Sequence, residues 1–164
     1  MAVSTAFLGE LKHESGSTRK ILERVPTDRL SWKPHEKSMM LTRLATHVAT
    51  TPGWITRIIT AGEFDLAKTP IKTPNAESNE QLLKVFDETL AANIPVLEAA
   101  SDELLNGNWT FRNGDHFFFT MPRKVALRSL AFNHLIHHRG QLSVYLRLLD
   151  IPVPGMYGPS ADGI

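Results

Sequence analysis

The chain has 164 residues, 42% of them hydrophobic, and its 18 Lys and Arg against 17 Asp and Glu give a formal net charge of +1. This size and composition fit a single domain over residues 1–164, and the absence of cysteine excludes disulfides, thiolate zinc sites and cysteine nucleophiles. The sequence has no basic stripe with interleaved aromatic residues, no apolar run near the ~20 residues that span a bilayer, and no signal-peptide pattern, so we expect a cytoplasmic protein that binds neither nucleic acid nor membrane.

Apolar residues recur at helical spacing in four stretches of the chain. This pattern predicts helices over residues 4–25, 40–61, about 79–104, and 122 to about 150. Ser38 is placed to cap the second helix, and Ser78 with Gln81 has capping-box spacing at the start of the third. Pro95 lies inside the third helix, which it should kink or split.

The segments between these helices carry different signals. Residues 63–77 are rich in Thr, Pro and Lys and are predicted to be loop. Residues 109–119 predict a short β-hairpin, because aromatic runs flank Asn113-Gly114, a strong hairpin turn signal. Four helices with one apolar face each predict an all-α four-helix bundle, with this hairpin between its third and fourth helices. The tail after Pro154 is predicted to be extended and packed by Tyr157.

The fourth helix contains two histidines that share a face. His134 and His138 are four residues apart, and a wheel that starts at Leu127 places both in the middle of the core stripe. His137 falls at the flank, and Gln141 lies one turn below, within reach of the pair. A buried polar ring without a partner costs roughly 1–3 kcal/mol, so a metal ion or a buried carboxylate should satisfy the pair. The core faces contain few carboxylates, which favours metal.

A third histidine, His47, lies at the edge of the apolar face of the second helix, where a ligand shared between helices belongs. It would complete a three-imidazole site with open coordination positions. Histidines at this spacing also occur by chance on many helices, as ordinary surface or core residues. His13, His35 and His116 are interpreted in that ordinary way, although the hairpin could bring His116 over the site.

Three segments and the tail together resemble one protein family. They are Trp32–Ser38, Leu44–Val48, Asn133–Gln141 and Tyr157–Asp162, so the resemblance covers nearly the whole chain. The most specific part is the H-x3-H-R-G-Q run that follows an upstream helical His. The chain thereby resembles the DinB-like (damage-inducible DinB/YfiT) superfamily.

The resemblance implies a four-helix bundle of up-down-down-up type, often a homodimer, that holds a divalent metal, commonly nickel or zinc, on three histidines. Transferred position by position, the ligands are His47, His134 and His138. Characterised relatives are thiol-dependent enzymes, including bacillithiol transferases and mycothiol-dependent maleylpyruvate isomerases. The short ending Asp162-Gly163-Ile164 lacks a further acidic residue of similar tails, so the resemblance assigns the tail carboxylate no role.

Two functions are compatible with these features. Three neutral imidazoles leave a divalent ion its full charge and open positions, so an enzyme could use it to ionise a bound water or thiol. Because the chain has no cysteine, a low-molecular-weight thiol would be the cofactor, and its transfer to a small electrophilic substrate is the expected reaction. Gln141 would support the ligands, and His137 and Glu36 are candidate acid–base groups.

The alternative is a non-catalytic metal-binding helical bundle that acts as a dimeric structural or stress-response protein. The count of three ligands argues against it, because structural zinc sites usually have four protein ligands.

Overall fold

The structure is a computed structural model, and it describes residues 2–71, 74 and 76–163. It is mostly helical, with one small three-stranded sheet. The helices are α1 (Val3–Leu22), α2 (Leu41–Thr50), α3 (Trp54–Thr60), α4 (Asn79–Glu98), α5 (Asp102–Asn106), α6 (Arg123–Ala126) and α7 (His134–Leu148), and the strands are β1 (Glu63–Asp65), β2 (Asn108–Asn113) and β3 (His116–Pro122). Within the described ranges, no helix is long and apolar enough to cross a membrane.

The second and third predicted helices are each interrupted. A 3₁₀ turn, Thr51–Gly53, separates α2 from α3, because Pro52 lacks the amide that an α-helix needs at that position. The sequence predicted a kink or a split at Pro95; the third helix runs through Pro95 to Glu98, so it is not split there. The chain breaks at residues 99–101 instead, and the Ser101 hydroxyl caps α5 by accepting a hydrogen bond from the Leu104 amide at 3.1 Å.

One predicted cap is confirmed and the other is wrong. The Ser78 hydroxyl accepts from the Gln81 amide at 3.1 Å at the start of α4. Ser38 lies in the turn before α2, which begins at Leu41 without a side-chain cap. A loop carbonyl satisfies the start of this helix instead, because the Leu41 amide donates a hydrogen bond to the Trp32 carbonyl at 2.8 Å.

The sheet has the order β1-β2-β3. β2 and β3 pair antiparallel with Asn113 opposite His116, and Gly114 turns between them with φ +59°. β1 pairs parallel with β2, so the expectation of loop is wrong for residues 63–65, which form a strand. The expected loop also covers residues 72, 73 and 75, which lie outside the described residues. The Asp65 carboxylate holds this edge together by accepting from the Gly114 amide at 2.9 Å.

The helical run before α7 contains a π-helical segment, Leu127–Asn133. The buried residues of α7 are Leu135, Arg139, Leu142 and Leu146. When these residues are placed on a uniform helical wheel of about 100° per residue, the centre of the buried face lies roughly 70° from the centre of the stripe that the sequence predicted. The π segment explains the difference, because a helix with i→i+5 hydrogen bonds rotates by a smaller angle per residue than an α-helix. His134 and His138 are therefore only partly buried, and their predicted place in the middle of the core is wrong.

Candidate metal centre

Three histidine rings meet where α2 packs against α7. His47 comes from α2, and His134 and His138 lie one turn apart on α7. The Nε2 atoms of His47 and His134 are 3.1 Å apart, and the ring centroids of His47 and His138 are 4.4 Å apart. The three rings can present one nitrogen each with all three atoms within 4.8 Å of one another. In the described part of the chain, this is the only group of three such residues that could hold a metal ion.

Two of the rings are oriented by hydrogen bonds from their outer nitrogens. His138 Nδ1 lies 2.7 Å from Gln141 Oε1, and His134 Nδ1 lies 3.3 Å from the Leu130 carbonyl oxygen. Both oxygens can only accept, so each Nδ1 carries the proton and each Nε2 presents its lone pair. Bonds of this kind orient histidine ligands in metal sites. Gln141 therefore lies where the sequence placed it, beside His138.

The rings are held in the neutral form that binds metal. Burial, helped by the positive forms of His138 and His134 and by Arg43, lowers the pKa of His47 to about 4. Burial is also the main cause that lowers the pKa of His134 and of His138. At pH 7 three neutral imidazoles thus converge, and the 3.1 Å contact between His47 Nε2 and His134 Nε2 is a hydrogen bond that a metal ion would replace. A divalent ion with affinity for nitrogen fits this donor set.

One of the three histidines, His47, borders an open cleft of about 630 Å³ between the α2–α3 run and α4. Asn93 of α4 joins the two sides of this cleft, because its side-chain oxygen accepts from the Thr56 amide at 2.9 Å and from the Thr56 hydroxyl at 2.8 Å. The Asn93 amide group in turn donates to the Thr89 carbonyl at 2.7 Å. His47 and the hydroxyl-bearing Thr50 lie along the same cleft. A small molecule in the cleft would therefore lie beside His47.

The remaining candidates lie outside the three-histidine group. His137 is exposed, with its ring centroid 4.9 Å from that of His138. Glu36 is exposed in the loop before α2, and no described contact joins its carboxylate to the histidines. His116 is exposed at the start of β3 beside Phe118. The acid–base roles of His137 and Glu36 therefore stay predictions.

Sequence reasoning missed the buried residue next to His138. Arg139 is 2% exposed, and its guanidinium lies 2.5 Å from a Glu14 carboxylate oxygen, 3.0 Å from the Thr18 hydroxyl and 2.6 Å from the Tyr157 hydroxyl. The Tyr157 hydroxyl donates to Glu14 at 2.8 Å. This cluster joins α1, α7 and the tail. Arg139 and Tyr157 both lie in segments that carried the family resemblance, but nothing in the sequence indicated that they pair with Glu14.

The tail carboxylate has a structural role. Asp162 accepts from the Arg147 guanidinium at 2.5 Å and from the Val153 amide at 2.8 Å, and the Arg147 hydrogen bond is the main cause that lowers the Asp162 pKa to about 2. Asp162 therefore fastens the tail to the end of α7.

The fold and the site together define a mostly helical protein with a candidate metal site of three imidazoles, one of which borders an open cleft. Residues 1–162 match the model of the DinB family, and the chain belongs to this family. The resemblance inferred from the motifs is thereby confirmed.

Two proteins of Bacillus subtilis strain 168 are similar along most of their length. The uncharacterised protein YjoA is 26% identical over 150 residues, which is 90% of this chain and 91% of YjoA. The uncharacterised protein YrdA is 24% identical over 159 residues, or 95% of this chain and 89% of YrdA. The length of the chain is thus close to that of these relatives.

Two crystal structures share the fold. A DinB-like protein from Bacillus cereus ATCC 10987 is 27% identical with a TM-score of 0.68, covering 92% of this chain and 95% of that one. The structure of YjoA from Bacillus subtilis also has a TM-score of 0.68, at 22% identity, covering 90% of this chain and 96% of that one. At this identity the second comparison concerns the fold alone.

Proposed function

We propose that this DinB-family protein is a divalent-metal-dependent enzyme that transfers a low-molecular-weight thiol to a small electrophilic substrate. The observation that carries the proposal is the three-histidine cluster, whose nitrogens lie within 4.8 Å of one another and whose His47 lines an open cleft. Zinc and nickel are the proposed metals, because both accept imidazole ligands. The DinB-like resemblance supports the thiol, and the chain itself contains no cysteine that could supply one.

When bound, the ion would supply the positive charge that keeps a thiol ionised near neutral pH. The chain's own part is to hold three neutral imidazoles in place, and the Gln141 side chain and the Leu130 carbonyl do this for the two rings of α7. The cleft beside His47 would hold the reactants next to the ion. His137, exposed next to His138, is the proposed group that takes up the thiol proton, and Glu36 is the weaker candidate.

The first test is elemental analysis of protein purified without a nickel affinity step, followed by a thiol-transfer screen. The screen would pair glutathione, bacillithiol and mycothiol with a chromogenic aryl halide. We expect stoichiometric zinc or nickel, with a transfer rate that chelation abolishes and metal restores. Stoichiometric metal without transfer of any thiol would contradict the enzyme and favour the non-catalytic metal-binding protein.

We also propose that the helices form an up-down-down-up bundle within a single domain and that the chain is a homodimer. Support for a dimer comes from Val144 and Leu148, which are 56% and 57% exposed on the outer side of α7. Sedimentation at micromolar concentration tests it, and a species of 18.3 kDa would contradict it. The cytoplasmic location stays a prediction from the sequence.

A further inference from the structure

The cleft beside the histidines contains one arginine with an unusual environment. Arg57 on α3 is partly buried, and its guanidinium lies over the Trp54 ring at 5.4 Å and near the Phe64 ring at 5.7 Å. Gly53 permits this position, because a Cβ there would stand 3.1 Å from Arg57 Nη1. The guanidinium is therefore folded back along the helix, against the backbone at Gly53.

The Arg57 guanidinium has no protein acceptor among the residues that the structure describes. The other well-packed arginines differ, since Arg112 donates to Glu63 and Arg123 donates to the Ile58 carbonyl. Among the described residues that line this cleft, the other charged one apart from its histidine is Glu88, whose side chain is 66% exposed at the rim and lies 3.9 Å from Lys84. Burial lowers the pKa of Arg57, but an arginine stays protonated at pH 7. A partly desolvated cation thus faces the cleft with its donors available.

We propose that Arg57 anchors an anionic group of the substrate, so that the cleft accepts a small carboxylate, sulfonate or phosphate whose other end reaches the three histidines. A guanidinium fork matches two oxygens of such an anion, and its hydrogen bonds to a charged acceptor are strong. This inference rests on the proposed function, since it names the substrate class of the same cleft.

The geometry sets the length of that substrate. Gly53 follows His47 by six residues, which is ~9 Å along a helical run at about 1.5 Å per residue. The anion would therefore lie a few bonds away from the atom held at the histidines. Trp54 and Val85 offer apolar contact between the two ends, and the Thr50 hydroxyl offers a polar one.

The test compares a charged and a neutral thiol of equal length. Cobalt-loaded protein would be titrated with 4-mercaptobutanoate and, separately, with its methyl ester, and the thiolate-to-cobalt absorption band would report binding of both. We expect the acid to bind about tenfold more tightly than the ester, because only the acid offers Arg57 a charged acceptor. In Arg57→Met, which keeps the bulk over Trp54, the two affinities should become equal, and Arg57→Lys should restore part of the preference.

Arg43→Met is the matched control. Arg43 is exposed on α2, four residues before His47 and outside the cleft lining, so its loss removes a nearby positive charge without touching the proposed anchor. This variant should keep the preference for the acid. Equal affinities in the unmodified protein, or a preference that survives in Arg57→Met, would overturn the proposal.

A second measurement separates this inference from the proposed function. If neither thiol produced the band, thiol binding at the histidines would fail while the anchor could still be tested. Metal-free protein would then be titrated with butanoate and with butanamide, while the Trp54 indole resonance is followed by NMR. Arg57-dependent binding of butanoate alone supports the anchor, and equal or absent binding of the two overturns it.

Discussion

Two polar clusters lie on either side of α7, and neighbouring residues belong to each. His138 points to His47 and His134 at the open edge, whereas Arg139 points into the core toward Glu14 and Tyr157. The Arg139 cluster contains both signs of charge, and the Arg139 and Glu14 groups pair with each other. The histidine cluster contains three groups of one kind, each a neutral imidazole with one nitrogen that can bind a metal ion.

This contrast separates a structural polar cluster from a binding one. Where donors and acceptors complement each other, burial is tolerated and the cluster joins elements of the fold. Where like groups converge, they require something that the protein does not supply, and a divalent ion meets that need. Five experiments test whether the two clusters differ in this way. The first four are ordered from the largest expected effect to the smallest, and the fifth comes last because it depends on the same pKa shift as the fourth.

The largest effect should follow from removing a ring of the histidine cluster. We expect His134→Ala and His138→Ala each to abolish stoichiometric metal binding, because two imidazoles hold a divalent ion poorly. His137→Ala is the matched control on the same helix, since that ring is exposed and outside the group, and it should retain most of the metal. Metal content of the purified variants decides this, and equal loss in all three would contradict the assignment.

The Arg139 cluster should respond in stability and not in metal content. Arg139→Met leaves the Glu14 carboxylate buried without its partner, which should cost about 3–5 kcal/mol of unfolding free energy. The folded fraction should still bind metal stoichiometrically. Urea denaturation measures the loss, and a second variant that also carries Glu14→Leu should recover most of it. A change below about 1 kcal/mol in Arg139→Met would mean that the pair does not stabilise the fold.

A smaller effect is expected at Gln141, which orients a ligand without being one. Gln141→Leu removes the acceptor from His138 Nδ1 and should weaken metal affinity about 10–100-fold. Gln141→Glu keeps an acceptor oxygen and should retain affinity close to that of the unmodified protein. Competition with a chromogenic chelator measures both variants. If the Leu and Glu variants bound metal equally well, the hydrogen bond would have no part in orienting the ring.

The smallest effect concerns pH. The pKa of His47 is about 4 in the folded protein and ordinarily 6.5, so the unfolded chain binds the proton first as the pH falls. The stability that neutral His47 contributes to the metal-free protein is therefore complete above pH 6.5 and is lost progressively toward pH 4. Denaturation midpoints between pH 7.5 and 4 should fall less in His47→Ala than in the unmodified protein.

The same shift affects metal binding. Protons compete with the metal only at a pH where the rings of the folded protein titrate, and the pKa values of these rings are lowered. Metal affinity should therefore fall steeply at a pH below the ordinary histidine value of 6.5, with up to three protons taken up per ion released. Metal titrations across this range measure the slope. A decline of one proton centred at 6.5 would mean that the three lowered rings are not the ligands.

Patterns between residues close together in the sequence were enough to predict much of the secondary structure and part of the site. Helical spacing located the helical regions, Ser78 with Gln81 marked the start of α4, and the interval between His134 and His138 placed their rings on one side of a helix. These features depend on contacts within about one turn, so the sequence alone determines them. The motifs that surround His47 and His138 also identified the family.

Tertiary structure decided the rest. The π segment before His134 turned the apolar face of α7, so the histidines moved from the expected core to its edge and Arg139 took the buried place. β1 formed because β2 offered it an edge with which to pair, although its three residues have little strand signal of their own. The Arg139 cluster and the position of Arg57 in the cleft depend on residues far apart in the chain. A helical wheel assumes the same rotation at every residue and describes one helix by itself. The partners that a residue finds on other elements are determined only when the chain is folded.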